Sequence, residues 1–129
     1  MWYNLIMNTA ENIKMLPEEI ELKRLDKVSV TMTTFLSYKK LFEQNIIITN
    51  KRLMVINSMT PSLNLRLSIF YSRADFNNSN KASSLLLINT EQKGDETILV
   101  AKGVWGLFKT KWIINSTDIV SLITNNQAV

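Results

Sequence analysis

From Val28 onward the chain alternates apolar and polar positions with a period of two. Val28, Val30, Met32, Thr34, Leu36 and Tyr38 hold one parity, and Ser29, Thr31, Thr33 and Ser37 hold the other. That spacing, rich in β-branched and aromatic types, predicts a half-buried strand over residues 28–38. Two short apolar runs, Ile46-Ile47-Ile48 and Leu53-Met54-Val55-Ile56, flank the polar tetrad Thr49-Asn50-Lys51-Arg52 and predict a hairpin. Residues 58–62 contain Pro61 and predict a turn. Leu63, Leu65, Leu67, Ile69 and Tyr71 alternate strictly and predict another strand. Residues 75–81, with three asparagines, predict a loop.

The runs Leu85-Leu86-Leu87-Ile88 and Ile98-Leu99-Val100-Ala101 enclose Lys93-Gly94-Asp95, which predicts a second hairpin. Residues 108–114 predict a seventh strand, after Gly103-Val104-Trp105-Gly106. The two ends have a different period. Thr9 is placed to cap a short helix carrying Ile13 and Leu16 and ending at Pro17. Glu18, Glu19 and Glu21 before Lys23 and Arg24 suit a helical turn or a direct entry into a strand. At the other end, Ser116 or Thr117 is placed to cap a helix with Asp118 in its first turn and Ile119, Val120, Leu122 and Ile123 on one face. The sum is a mainly β chain: a bent antiparallel barrel or sandwich of six to seven strands with a C-terminal capping helix.

Composition narrows the function classes. The 129 residues suffice for one domain, here residues 19–129 behind an N-terminal extension over 1–18. There is no cysteine and no histidine, so thiolate metal sites, disulfides and histidine acid–base chemistry are excluded within this sequence. Three glycines leave no glycine-rich phosphate cradle, and no Gly-x-Ser-x-Gly elbow is present. We therefore expect a protein that is not an enzyme, with no cofactor and no metal site. Asp95 and Glu96 are adjacent acids at a hairpin tip, where water keeps both ionised, so they read as solvated turn charges. The short apolar start, without a basic lead or a small-residue cleavage site, reads as neither a signal peptide nor a membrane span. The expected location is cytoplasmic, peripheral at the inner face of a membrane. The net charge of +4 suits an anionic partner without requiring one.

Residues 46–56, with Thr49-Asn50-Lys51-Arg52-Leu53 between apolar runs, resemble the central hairpin of bacterial pleckstrin-homology-like and GRAM-like domains. Leu16-Pro17-Glu18-Glu19-Ile20 resembles the lead-in before the first strand of those families, and the similarity in order extends over about residues 16–125. It implies a small bent barrel or sandwich capped by a helix, and a role in binding anionic lipids, peptides or further copies of the chain. Residues 102–112 are longer and more aromatic than the resemblance implies.

Two groups of candidate contact residues follow. Lys51 and Arg52 at the hairpin turn, with Lys39 and Lys40 on the nearby strand end, are cations suited to a phosphate. The competing reading is that they keep a turn soluble and blunt a strand edge. The second group is Lys102, Trp105, Phe108, Lys109, Lys111 and Trp112, aromatics interleaved with lysines as at a bilayer interface. Its competing reading is a strand whose tryptophans fill the core while its lysines face water. The expected partners are a protein or an anionic lipid headgroup such as a phosphoinositide. Nucleic acid is disfavoured for want of a compact basic stripe. A different reading is a structural protein assembling into a homo-oligomer through an exposed strand edge or the 102–112 segment.

Overall fold

The computed structural model describes residues 14–34, 38–57, 65–103 and 109–127. Seven strands form a closed barrel in sequence order: β1 (Glu21–Thr33), β2 (Tyr38–Thr49), β3 (Arg52–Asn57), β4 (Leu65–Phe70), β5 (Ser84–Lys93), β6 (Glu96–Lys102) and β7 (Lys109–Ile114). A short helix α1 (Arg73–Asn77) and a 3-10 turn (Lys81–Ser83) join β4 to β5, and α2 (Val120–Gln127) follows β7. Pairing of Val30–Thr33 with Lys111–Ile114 closes the ring.

Every strand pair is antiparallel except β4–β5, which is parallel through Ser68↔Ser84, Ile69↔Leu85 and Phe70↔Leu86. The departure from an all-antiparallel barrel has a geometric cause. Strand directions cannot alternate around a closed ring of odd number, so seven strands require a parallel neighbour pair. A parallel pair needs a long crossover instead of a tight turn. Residues 71–83 supply it, and that is why the expected loop at 75–81 begins as a helix. Ser72 caps α1 by accepting from the Asp75 amide at 3.2 Å.

Side-chain alternation fills the interior with Val30, Ile46, Ile48, Leu53, Val55, Ile69, Leu99, Trp112 and Ile114. The intervening residues Ile47, Met54 and Ile56 form a second buried cluster on the other face of β2 and β3. Burial on both faces explains why these strands read as continuous apolar runs. Ile119 and Ile123, both fully buried, join the interior cluster from the C-terminal segment. The capping helix is thus present, though it begins at Val120, later than expected. Ile123 N–H donates to the Ile119 carbonyl at 3.1 Å. Asp118 lies before the helix and faces Lys23 at 3.5 Å, not in the first turn.

The expected single strand over 28–38 is two. β1 and β2 pair at Thr33↔Tyr38, so the chain reverses between them and the parity happens to carry through the reversal. The first hairpin sits where it is expected, as does the second, whose tip uses Gly94 at φ +61. The expected N-terminal helix falls mostly on residues 9–13, outside the described residues, and Lys14–Leu16 are not helical. The expected turn at 58–62 is also outside them. Of the two openings offered for residues 18–24, the strand is the one adopted, with β1 starting at Glu21.

Candidate functional site

Arg52 departs most sharply from its expected role. It is 5% exposed, because β3 turns its side chain onto the barrel's outer wall beneath residues 14–20. Its Nε donates to Glu19 Oε2 at 2.9 Å and its Nη2 to Glu19 Oε1 at 3.1 Å. Nη2 also donates to the Lys14 carbonyl, Nη1 donates to Ser68 Oγ, and the guanidinium stands 5.7 Å from the Phe70 ring centre. The Glu19 carboxylate is closed from solvent and also accepts from the Thr49 hydroxyl and the Leu16 amide. Burial pushes the Glu19 carboxyl up, but these donors outweigh it and hold it below its usual range. Arg52 is therefore a structural clasp on the N-terminal strap, its guanidinium donors spent on Glu19, Lys14 and Ser68.

The rest of the tetrad serves the same clasp. Asn50 Oδ1 accepts from the Ile20 amide at 2.7 Å and its Nδ2 donates to the Glu18 carbonyl. Thr49 Oγ1 accepts from the amides of Lys51 and Arg52. The Tyr71 hydroxyl donates to the Thr49 carbonyl, and burial together with the Glu19 charge raises its pKa strongly. Lys51 alone keeps its ammonium group clear of this network. It lines a cleft of about 380 Å³ bounded by the turn, the start of α1 and the last turn of α2.

At the other end of β2 the strand register gathers lysines from both candidate groups. Thr33 pairs with Tyr38 on β2 and with Lys111 on β7, which places Tyr38 and Lys111 roughly 10 Å apart, two strand spacings. Met32 pairs with Lys39, Thr31 with Lys40, and Lys102 with Lys109. Lys39, Lys40, Lys109 and Lys111 are exposed, Lys102 is half-buried, and Tyr38 is 69% exposed. Among the described residues 31–33, 38–40, 100–102 and 109–113 the charged side chains are all lysines.

Trp112 belongs to the core. It is 5% exposed, and its indole N–H donates to Thr110 Oγ1 at 2.9 Å. Thr110, Trp112 and Ile114 form one parity of β7, while exposed Lys109 and Lys111 form the other. Trp105 and Phe108 lie outside the described residues. Sequence reasoning passed over Glu19 as a partner, Tyr38 as a rim aromatic, and Asp75, Asn125 and Asn126 as cleft residues. Only Glu19 had a local signal, its place in the lead-in before β1. Among the described residues, no helix is long and apolar enough to cross a membrane. Comparison of the chain with protein-family models, with curated proteins and with solved structures returns no match in any of the three.

Proposed function

We propose that the chain is a non-catalytic binding module, of the pleckstrin-homology-like kind, that adheres to an anionic membrane surface through the lysine rim. The observation that carries this reading is the register Tyr38–Thr33–Lys111, which joins Lys39 and Lys40 to Lys102, Lys109 and Lys111 with no intervening acid among the described residues. A lysine near an anionic bilayer contributes about 1 kcal/mol, so the rim sums to weak, salt-sensitive adhesion. Exposed Tyr38 supplies an amphipathic ring of the kind that sits at headgroup level. The cytoplasmic leaflet is the face such a rim suits. Flotation with vesicles of phosphatidylserine and phosphatidylcholine tests it: binding at low salt that fades at moderate salt is expected, and no binding at either contradicts it.

A specific observation favours assembly as the second reading. β1 pairs with β2 along its length but with β7 only over Val30–Thr33, which leaves the 21–29 stretch without a second strand neighbour among the described residues. Ile20 and Leu22 are exposed beside that stretch. Light scattering of the pure protein separates the readings, since a concentration-dependent oligomer without vesicle binding supports assembly.

A further inference from the structure

The cleft at the β2–β3 turn lies at the far end of β2 from the lysine rim and has its own chemistry. At about 380 Å³ it falls within the range of small-molecule sites, roughly 300–1,000 Å³. One wall carries Lys51, held in place through its backbone. Its amide donates to Thr49 Oγ1 at 3.1 Å, and its carbonyl accepts from the Tyr71 amide at 3.2 Å. The side chain is half-buried, and among the described residues its ammonium group has no hydrogen-bond or ion-pair partner.

Asp75, which also lines the cleft, is fixed by the cap of α1. Its amide and its Oδ2 both engage the Ser72 hydroxyl, which leaves Oδ1 without a partner among the described residues. Lys51 and Asp75 both line the cleft and do not form an ion pair with each other. The last turn of α2 completes the lining through Asn125 and Asn126. Asn126 Nδ2 donates to the Leu122 carbonyl at 2.8 Å, leaving its Oδ1 as an acceptor, and the side-chain amide of Asn125 has no hydrogen-bond partner among the described residues. The final carbonyls of a helix lack intrahelical donors and carry negative partial charge, and no basic residue stands in this last turn.

The site therefore has two poles. Lys51 offers a charge-assisted donor, while Asp75, Asn126 Oδ1 and the end of α2 offer acceptors. An anion alone would meet Asp75 and the helix end, and a cation alone would meet Lys51. A ligand with both charges matches both walls and replaces the ion pair that the cleft holds apart. We propose that this cleft binds a small zwitterion of the α-amino-acid class, its carboxylate on Lys51 and its ammonium group on Asp75 and the end of α2.

The experiment is two-dimensional amide NMR on the full chain, titrated with individual L-amino acids, and with acetate, methylamine and inorganic phosphate as single-charge probes. The expected result is saturable shifts at Lys51, Ser72, Asp75 and Asn125 with at least one amino acid in the millimolar range. The single-charge probes should bind about tenfold more weakly or not at all. Lys51→Met and Asp75→Asn should each abolish saturation while leaving the remaining spectrum in place. If a substitution perturbs the fold, N-acetylation and methyl esterification of the same amino acid supply the second reading, each expected to remove binding. Absence of saturable shifts with every amino acid overturns the proposal. So does equal binding of acetate or phosphate, which would make this a simple anion site.

Discussion

Glu19 and Arg52 stand 33 residues apart in sequence and meet through two hydrogen bonds, 2.9 and 3.1 Å long, with both charged groups almost wholly withdrawn from water. Their meeting ties residues 14–20 to the hairpin that forms one rim of the barrel. It also explains why a Thr-Asn-Lys-Arg turn, which by composition looks made for a ligand, spends three of its four side chains on the protein itself.

Breaking this pair from one side leaves an uncompensated buried charge. Arg52→Ala is expected to lower unfolding stability by about 3–5 kcal/mol, and Glu19→Ala by a similar amount. Urea denaturation of each single variant and of the double variant checks this. The double variant should lose less than the sum, because neither charge is then left alone.

The same pair has a pH signature. The Glu19 pKa is depressed in the folded chain, so the unfolded chain binds the proton more readily. The stabilisation is present above the ordinary carboxylate value of about 4.3 and is lost as pH falls through that value toward the depressed one. The stability gap between the native chain and Glu19→Gln should therefore be widest near neutrality and shrink as pH drops below about 4. Urea unfolding at a series of pH values reads the gap directly, and a constant gap would show that Glu19 carries no such linkage.

Trp112 lies among core side chains and is 5% exposed. Trp112→Ala is expected to cost about 3–5 kcal/mol in thermal or chemical unfolding, by removing a large buried ring. Trp112→Phe should cost distinctly less, retaining most of the ring while losing the hydrogen bond to Thr110.

Much of the barrel is legible in the residues because period-two patterning and turn chemistry agree. The runs around Thr49–Arg52 and around Gly94 are bounded by polar breaks, and both hairpins form there. Residues 28–38 show the limit of that signal. Alternation alone does not reveal a reversal when the same parity continues into the next strand, so residues 28–38 read as one strand although Thr33 pairs with Tyr38. The parallel β4–β5 pair is set by ring closure, a property of all seven strands together and not of the local residues.

The site divides along the same line. Lys39 and Lys40 fall near Lys109 and Lys111 only through β1, which pairs with both of their strands, so no spacing in sequence announces the rim. Arg52 reads as exposed from the sequence because a tight turn normally faces water. A strap from 33 residues upstream covers it, and sequence spacing carries no record of that cover. Trp112 is ambiguous in the sequence because residues 108–112 break alternation, yet counted from Lys109 the strand alternates cleanly.

The most direct measurement on the central claim compares vesicle flotation of the native chain with a variant carrying Lys39→Glu, Lys109→Glu and Lys111→Glu. These side chains are exposed, so circular dichroism and the melting transition should be nearly unchanged. If the rim is the membrane-facing surface, the native chain floats with phosphatidylserine vesicles at low salt and the variant stays in the soluble fraction. Equal flotation of both proteins would contradict it.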